Sequence, residues 1–216
     1  MNAYLISGLG ADSRAFLHLE LPPGYKKIHL DWIPPHQHEP LSSYALRLAA
    51  SIDTTQPFVL IGLSMGGMMA TEISRSLRPE RTILISSMPS YRFLPGYFRL
   101  AGRLKLHSVA PISVLKAGSY LKRFFTNESP ADKQLIWQVI KESDPAFIRW
   151  GMEAVLGWKG EAGSGDYIHI HGTGDWLLPV GKSKPTHLIK DGGHMMIFDR
   201  CGEINRILAE QLPAPV

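Results

Sequence analysis

The chain has 216 residues, a length that suits one domain with room for a sizeable insertion. Hydrophobic residues at 44% and charged residues at 19% exclude a disordered chain. A formal net charge of +4 is too small a surplus to argue for a nucleic-acid partner, which needs clustered charge.

In chain order, short apolar runs alternate with helical patterns. Strands are predicted at Ala3 to Ser7, Lys27 to Trp32 and Phe58 to Leu63, the last a continuous apolar run suited to burial on both faces. Thr82 to Ser87, Tyr167 to His171 and Thr186 to Lys190 complete the set. Helices are expected at about Ser42 to Ile52, Met65 to Leu77 and Gly202 to Gln211. This rhythm implies a parallel sheet with helices on both faces. Between Pro89 and Gly165 it breaks, and four helical candidates replace the strands: Leu94 to Leu106, Ile112 to Phe125, Pro130 to Lys141 and Asp144 to Leu156. The expected organisation is a core of residues 1–89 and 165–216 interrupted by a helical cap at 90–164.

The strongest chemical signal is Gly62-Leu63-Ser64-Met65-Gly66, which fits G-x-S-x-G. A predicted strand precedes it and a predicted helix comes after, which is the context the motif requires. Small neighbours let the backbone turn sharply enough to lift the serine hydroxyl above the sheet. The helix N-terminus behind it favours developing negative charge, and the Met65 amide can donate to an oxyanion. Ser7-Gly8-Leu9-Gly10 after the first strand offers a second donor, the Leu9 amide. The same loop admits a competing reading as the start of a dinucleotide fingerprint, with Asp31 where a ribose-binding acid would sit. Ser13 stands in place of its third glycine, and that reading leaves Ser64 unexplained.

His194, after two glycines and the last strand, suits an imidazole reaching into a site from a loop. The acid should lie between serine and histidine in chain order. Asp175 directly follows the fifth strand and is the natural choice over Asp166, at the wrong end of its strand, and Asp191, close in sequence to His194. His36 and His38 read as a solvated Pro-rich loop rather than a metal site, and neither a metal nor a cofactor is expected.

These segments resemble the α/β-hydrolase superfamily. The resemblance rests on Ser-Gly-Leu-Gly (7 to 10), Gly-Leu-Ser-Met-Gly-Gly (62 to 67), His-Gly-x-Gly-Asp-x-x-x-Pro (171 to 179) and Gly-Gly-His (192 to 194). It implies an α/β-hydrolase fold of about six parallel strands with a helical cap, the family's first two strands being absent. Ser7 departs from the histidine common in relatives. The implied activity is hydrolysis of a small carboxylic ester or related acyl compound, with Ser64 attacking, His194 as base, Asp175 orienting it, and Leu9 and Met65 holding the oxyanion. Carbon–carbon or amide hydrolysis and a lyase step are the alternatives on the same scaffold.

The cap segment Tyr91 to Asn127 carries seven basic residues, Arg92, Arg99, Arg103, Lys105, Lys116, Lys122 and Arg123, and no acid. It reads either as a solvated basic face or as a patch that attracts an anionic substrate or touches a lipid surface. A small-molecule substrate is the expected partner. The single cysteine, Cys201, permits no intramolecular disulfide, the N-terminus lacks a secretory pattern, and no run nears the roughly 18 apolar residues of a membrane span. A cytoplasmic location is therefore expected.

Overall fold

A computed structural model of the chain describes residues 1–103, 128–162 and 167–212. Strands β1 (Asn2–Ile6), β2 (Lys26–His29), β3 (Phe58–Leu63), β4 (Arg81–Ile85), β5 (Tyr167–Gly172) and β6 (His187–Ile189) form one sheet. Its order is β2-β1-β3-β4-β5-β6, and every pair is parallel. In register, Tyr4 of β1 stands opposite Leu60 of β3, which stands opposite Thr82 of β4.

The apolar run of β3 is buried throughout, and strand periodicity divides it between two cores. Phe58 and Leu60 join one cluster with Tyr4, Ile6 and the inner faces of α1 (Leu41–Leu48) and α2 (Met65–Leu77). Val59, Ile61 and Leu63 join the other, under α6 (Met196–Asp199) and α7 (Cys201–Gln211). A fully buried Ile61 contributes about 1.5–3 kcal/mol over an exposed one.

The described part of the inserted region holds α3 (Gly96–Arg103), α4 (Pro130–Glu142) and α5 (Pro145–Gly157), with an isolated bridge between Ser90 and Glu161. Ser129 and Asp144 cap α4 and α5, each followed by proline at the first helical position, where its fixed φ suits the first turn. Phe147 and Trp150 of α5 stack with Tyr44 of α1, the Tyr44 and Trp150 rings 4.3 Å apart, and they belong to the same core cluster as the sheet. The Trp150 indole donates to the Glu39 carbonyl at 2.9 Å, and the Trp158 indole to the Glu72 carboxylate at 2.7 Å. The expected helix at Ile112 to Phe125 lies outside the described residues.

Element edges differ from expectation where the backbone changes hand or tightens. β4 stops at Ile85 rather than Ser87 because Ser86 adopts φ 47°. The first helix ends at Leu48 and its last turn tightens into a 3₁₀ helix, Ala49–Ser51. Cys201 is buried at the start of α7, its thiol donating to the His18 carbonyl at 2.8 Å, and burial pushes that thiol up to about 11. Among the described residues no helix is long and apolar enough to cross a membrane.

Candidate active site

The loops at the carboxyl ends of the strands converge. Ser64 follows β3, Gly8 to Gly10 follow β1, Asp175 follows β5, and His194 follows β6. Ser64 has φ 52° and ψ −118°, an unfavourable backbone for a side-chain-bearing residue that costs about 1–3 kcal/mol. Neighbouring contacts enforce it. The Ser64 amide donates to the Ile85 carbonyl at 2.9 Å, and the Ser87 hydroxyl donates to the Ser64 carbonyl at 2.7 Å. A Cβ at Gly62 would strike the Gly66 backbone, and one at Gly66 the carbonyls of Ile6 and Ser7. The turn therefore needs glycine at both positions.

Ser64 Oγ lies 3.0 Å from Nε2 of His194, and Nδ1 of His194 lies 2.8 Å from Oδ2 of Asp175. With Nδ1–H donating to the carboxylate, Nε2 is the acceptor for the serine hydroxyl. Asp191 is exposed, with φ 57°, and its backbone amide donates to the Thr173 hydroxyl at 2.8 Å. Asp166 lies outside the described residues. The Asp175 and His194 loops are joined to each other: Gly174 donates to the Gly192 carbonyl at 3.0 Å, and Thr173 to that of Ile189 at 3.0 Å.

Asp175 is 3% exposed. Burial raises its carboxyl, but the charge of His194, the hydrogen bonds from His171 and His194 and the Leu178 amide outweigh that. The group is held well below the usual carboxylate range. Its Oδ1 accepts from the Leu177 and Leu178 amides at 3.0 and 2.9 Å.

Behind the acid lies a pair of histidines to which the amino-acid pattern alone assigns no role. His171 Nε2 sits 2.7 Å from the Leu178 carbonyl and 3.4 Å from Oδ2 of Asp175. Both are acceptors, so this nitrogen carries the proton. His169 Nε2 likewise donates to the Ser87 carbonyl at 2.9 Å and stands 3.0 Å from Nδ1 of His171. Burial, then the neighbouring His171, lowers His169 to about 4, and its Nδ1 has no partner. Period-2 alternation in β5 is the available signal, since it puts positions 169 and 171 on one face.

The Leu9 and Met65 amides are free of acceptors among the described residues. The Leu9 loop sits directly over the serine, a Cβ at Gly8 falling 3.3 Å from that of Ser64. The loop leads into a single 3₁₀ turn, Ser13–Phe16, too short to present the helix N-terminus that a dinucleotide needs. Asp31 pairs with His29 at 2.8 Å, its side chain 91% exposed. Helix α5 leans on the loop from above, with Gly151 against Leu9 and Met65. Of the basic cap residues, Arg92 pairs with Glu161 at 2.7 Å, an acid supplied from beyond the basic segment. The other six side chains lie outside what is described.

A cavity of about 320 Å³ opens over Ser64 and His194. Its walls are mostly apolar, with Met68, Phe98, Ile136, Val139, Met152, Val155 and Leu177 among them, and Glu128 and Lys133 interrupt them. Such a site can hold an apolar acyl group against a hydroxyl that is already hydrogen-bonded to an imidazole.

A parallel sheet with a serine on a strand-to-helix elbow and a histidine after its last strand defines a class, and the sequence agrees. The model of the alpha/beta hydrolase family matches residues 3–207, so the chain belongs to that family. Among curated proteins none matches it. Solved structures share the fold at low identity. A thermophilic esterase from Thermogutta terrifontis is 18% identical with a TM-score of 0.74, the match covering 98% of this chain and 89% of that one. MenH from S. aureus is 16% identical with a TM-score of 0.75, over 96% and 91%. The enol-lactonase from Burkholderia xenovorans is 15% identical with a TM-score of 0.71, over 96% and 89%.

Proposed function

We propose that this hydrolase-family protein cleaves small carboxylic esters through an acyl-enzyme. The observation that carries the reading is the continuous hydrogen-bond chain from Ser64 Oγ through His194 to buried Asp175, at the floor of an apolar cavity. His194 takes the serine proton as Oγ attacks the ester carbonyl. The amides of Leu9 and Met65 receive the oxyanion. His194 then returns the proton to the departing alcohol, and water repeats the sequence on the acyl-enzyme. Asp175 keeps His194 in the tautomer that leaves Nε2 free to accept. Lactones, which are cyclic esters, fall within the same chemistry. With one buried thiol and no disulfide to form, the fold suits the reducing cytoplasm.

The test is hydrolysis of 4-nitrophenyl esters of graded chain length by the wild-type protein and by Ser64→Ala, with labelling by a fluorophosphonate probe. We expect turnover and labelling in the wild type. In the variant labelling disappears and kcat falls by about 10⁴-fold or more, while thermal unfolding stays cooperative. Turnover by Ser64→Ala within a few-fold of wild type would refute the assignment.

A further inference from the structure

The cavity contains a charged group that the proposed chemistry does not use. Glu128 stands one residue before Ser129, the N-cap of α4, and borders the cavity shared by Ser64 and His194. Its side chain is nine-tenths buried, the residue being 7% exposed. Oε2 has no hydrogen-bond partner. Among the described residues no cation pairs with it, and Lys133, on the same cavity, does not reach it.

An unpaired carboxylate in an apolar enclosure is costly to keep, because burial removes water and nothing replaces it. The other buried carboxylates among the described residues are satisfied. Glu39 accepts from Arg47, Ser43 and the His36 amide, and Glu72 from Trp158. Asp175 has His194 and two backbone amides. Glu128 differs from these in bordering the space that a substrate fills. A polar group so placed fixes which ligands fit, since a purely apolar occupant leaves it dry and unpaired while a donor completes it.

We propose that Glu128 selects acyl substrates bearing a hydrogen-bond donor, a hydroxyl or an ammonium, on the part that occupies the cavity. This rests on the esterase reading of the same site and adds the substrate class to it. It opposes the anionic preference that the basic cap segment suggests, because a buried carboxylate repels an anion entering the cavity.

The test compares 4-nitrophenyl heptanoate with the 6-hydroxy- and 6-aminohexanoate esters on wild type, Glu128→Gln and Glu128→Leu. In the wild type both donor-bearing esters should exceed the alkyl ester in kcat/KM by at least about 10-fold. Glu128→Leu should erase or reverse that ratio. Glu128→Gln, nearly isosteric and still an acceptor, should keep the hydroxyl preference and lose the ammonium preference, which separates the two donors. Ratios equal in wild type and Glu128→Leu, or a wild-type preference for the alkyl ester, overturn the proposal. Calorimetric binding of the matching methyl ketones, which cannot be hydrolysed, runs in parallel. If no ester is turned over but the hydroxylated ketone still binds better and Glu128→Leu removes the difference, the hydrolase reading fails and this one stands. If alkyl esters are turned over and neither readout responds to Glu128, the reverse holds.

Discussion

The two walls of the cavity are built on different terms. On the sheet side, the side chains of Ser64, His194 and Asp175 are hydrogen-bonded to one another, and His171 and His169 extend the network inward. On the helical side, α4 and α5 offer apolar side chains, and Glu128, the carboxylate beside them, has one oxygen, Oε2, without a partner. The sheet wall is organised before anything binds, which is where reaction chemistry gains most. The helical wall is completed by whatever enters, and recognition belongs there.

The largest effect that would break this contrast concerns the acid. Asp175→Asn should lower kcat by about 10⁴-fold through the wrong histidine tautomer, with little change in KM. If Asp191→Asn is instead the crippling change, the organised wall has been assigned to the wrong residue.

A smaller effect probes where the walls meet. Gly151 lets α5 sit against Leu9 and Met65, and the hole left by its missing Cβ is already filled by Leu9 Cδ1. Gly151→Leu should destabilise the fold by about 1–3 kcal/mol in urea unfolding, as overpacking does. The displaced Leu9 amide should cost kcat more than KM. An unchanged kcat in a folded Gly151→Leu protein would mean that the Leu9 amide takes no part.

A last effect, on stability and its pH dependence rather than on turnover, sharpens the account of the sheet wall. His169 is held neutral, lowered to about 4 from its usual 6.5. In the unfolded chain it takes up a proton below pH 6.5, whereas the folded protein resists until about pH 4. Its contribution is therefore intact above pH 6.5 and is lost as pH falls toward 4, by about 3 kcal/mol in all. Denaturant unfolding at pH 7 and pH 4.5 should show this loss in wild type and less of it in His169→Asn. Parallel pH dependence in the two proteins would remove His169 from the account.

Most of the organised wall was legible in the sequence. Ser64, His194 and Asp175 each follow a strand, and glycines around them mark backbone that must turn sharply or approach closely. The helical wall was not legible to the same degree. An acid next to a helix start, as Glu128 is, reads as a solvated loop residue, because nothing local signals that tertiary packing will bury it. Asp144 to Leu156 reads as a helix, but nothing local says that its Phe147 and Trp150 stack on Tyr44 and join the sheet's own core. The histidines of β5 were in plain view, yet their alternation becomes informative only once Asp175 is known to lie above them.

The two borders of the sheet bear on how the protein behaves when crowded. β2 is the outer strand on one side, and its Lys26 and Lys27 are exposed, the Lys27 ammonium bonding to the Leu19 carbonyl at 2.7 Å. β6, the outer strand on the other, is three residues long. A strand belonging to another molecule would have to bury ammonium groups at one border and would find almost no ladder to extend at the other. The sheet thus resists growing from molecule to molecule, and concentrated preparations should stay clear of fibrils while the native state persists.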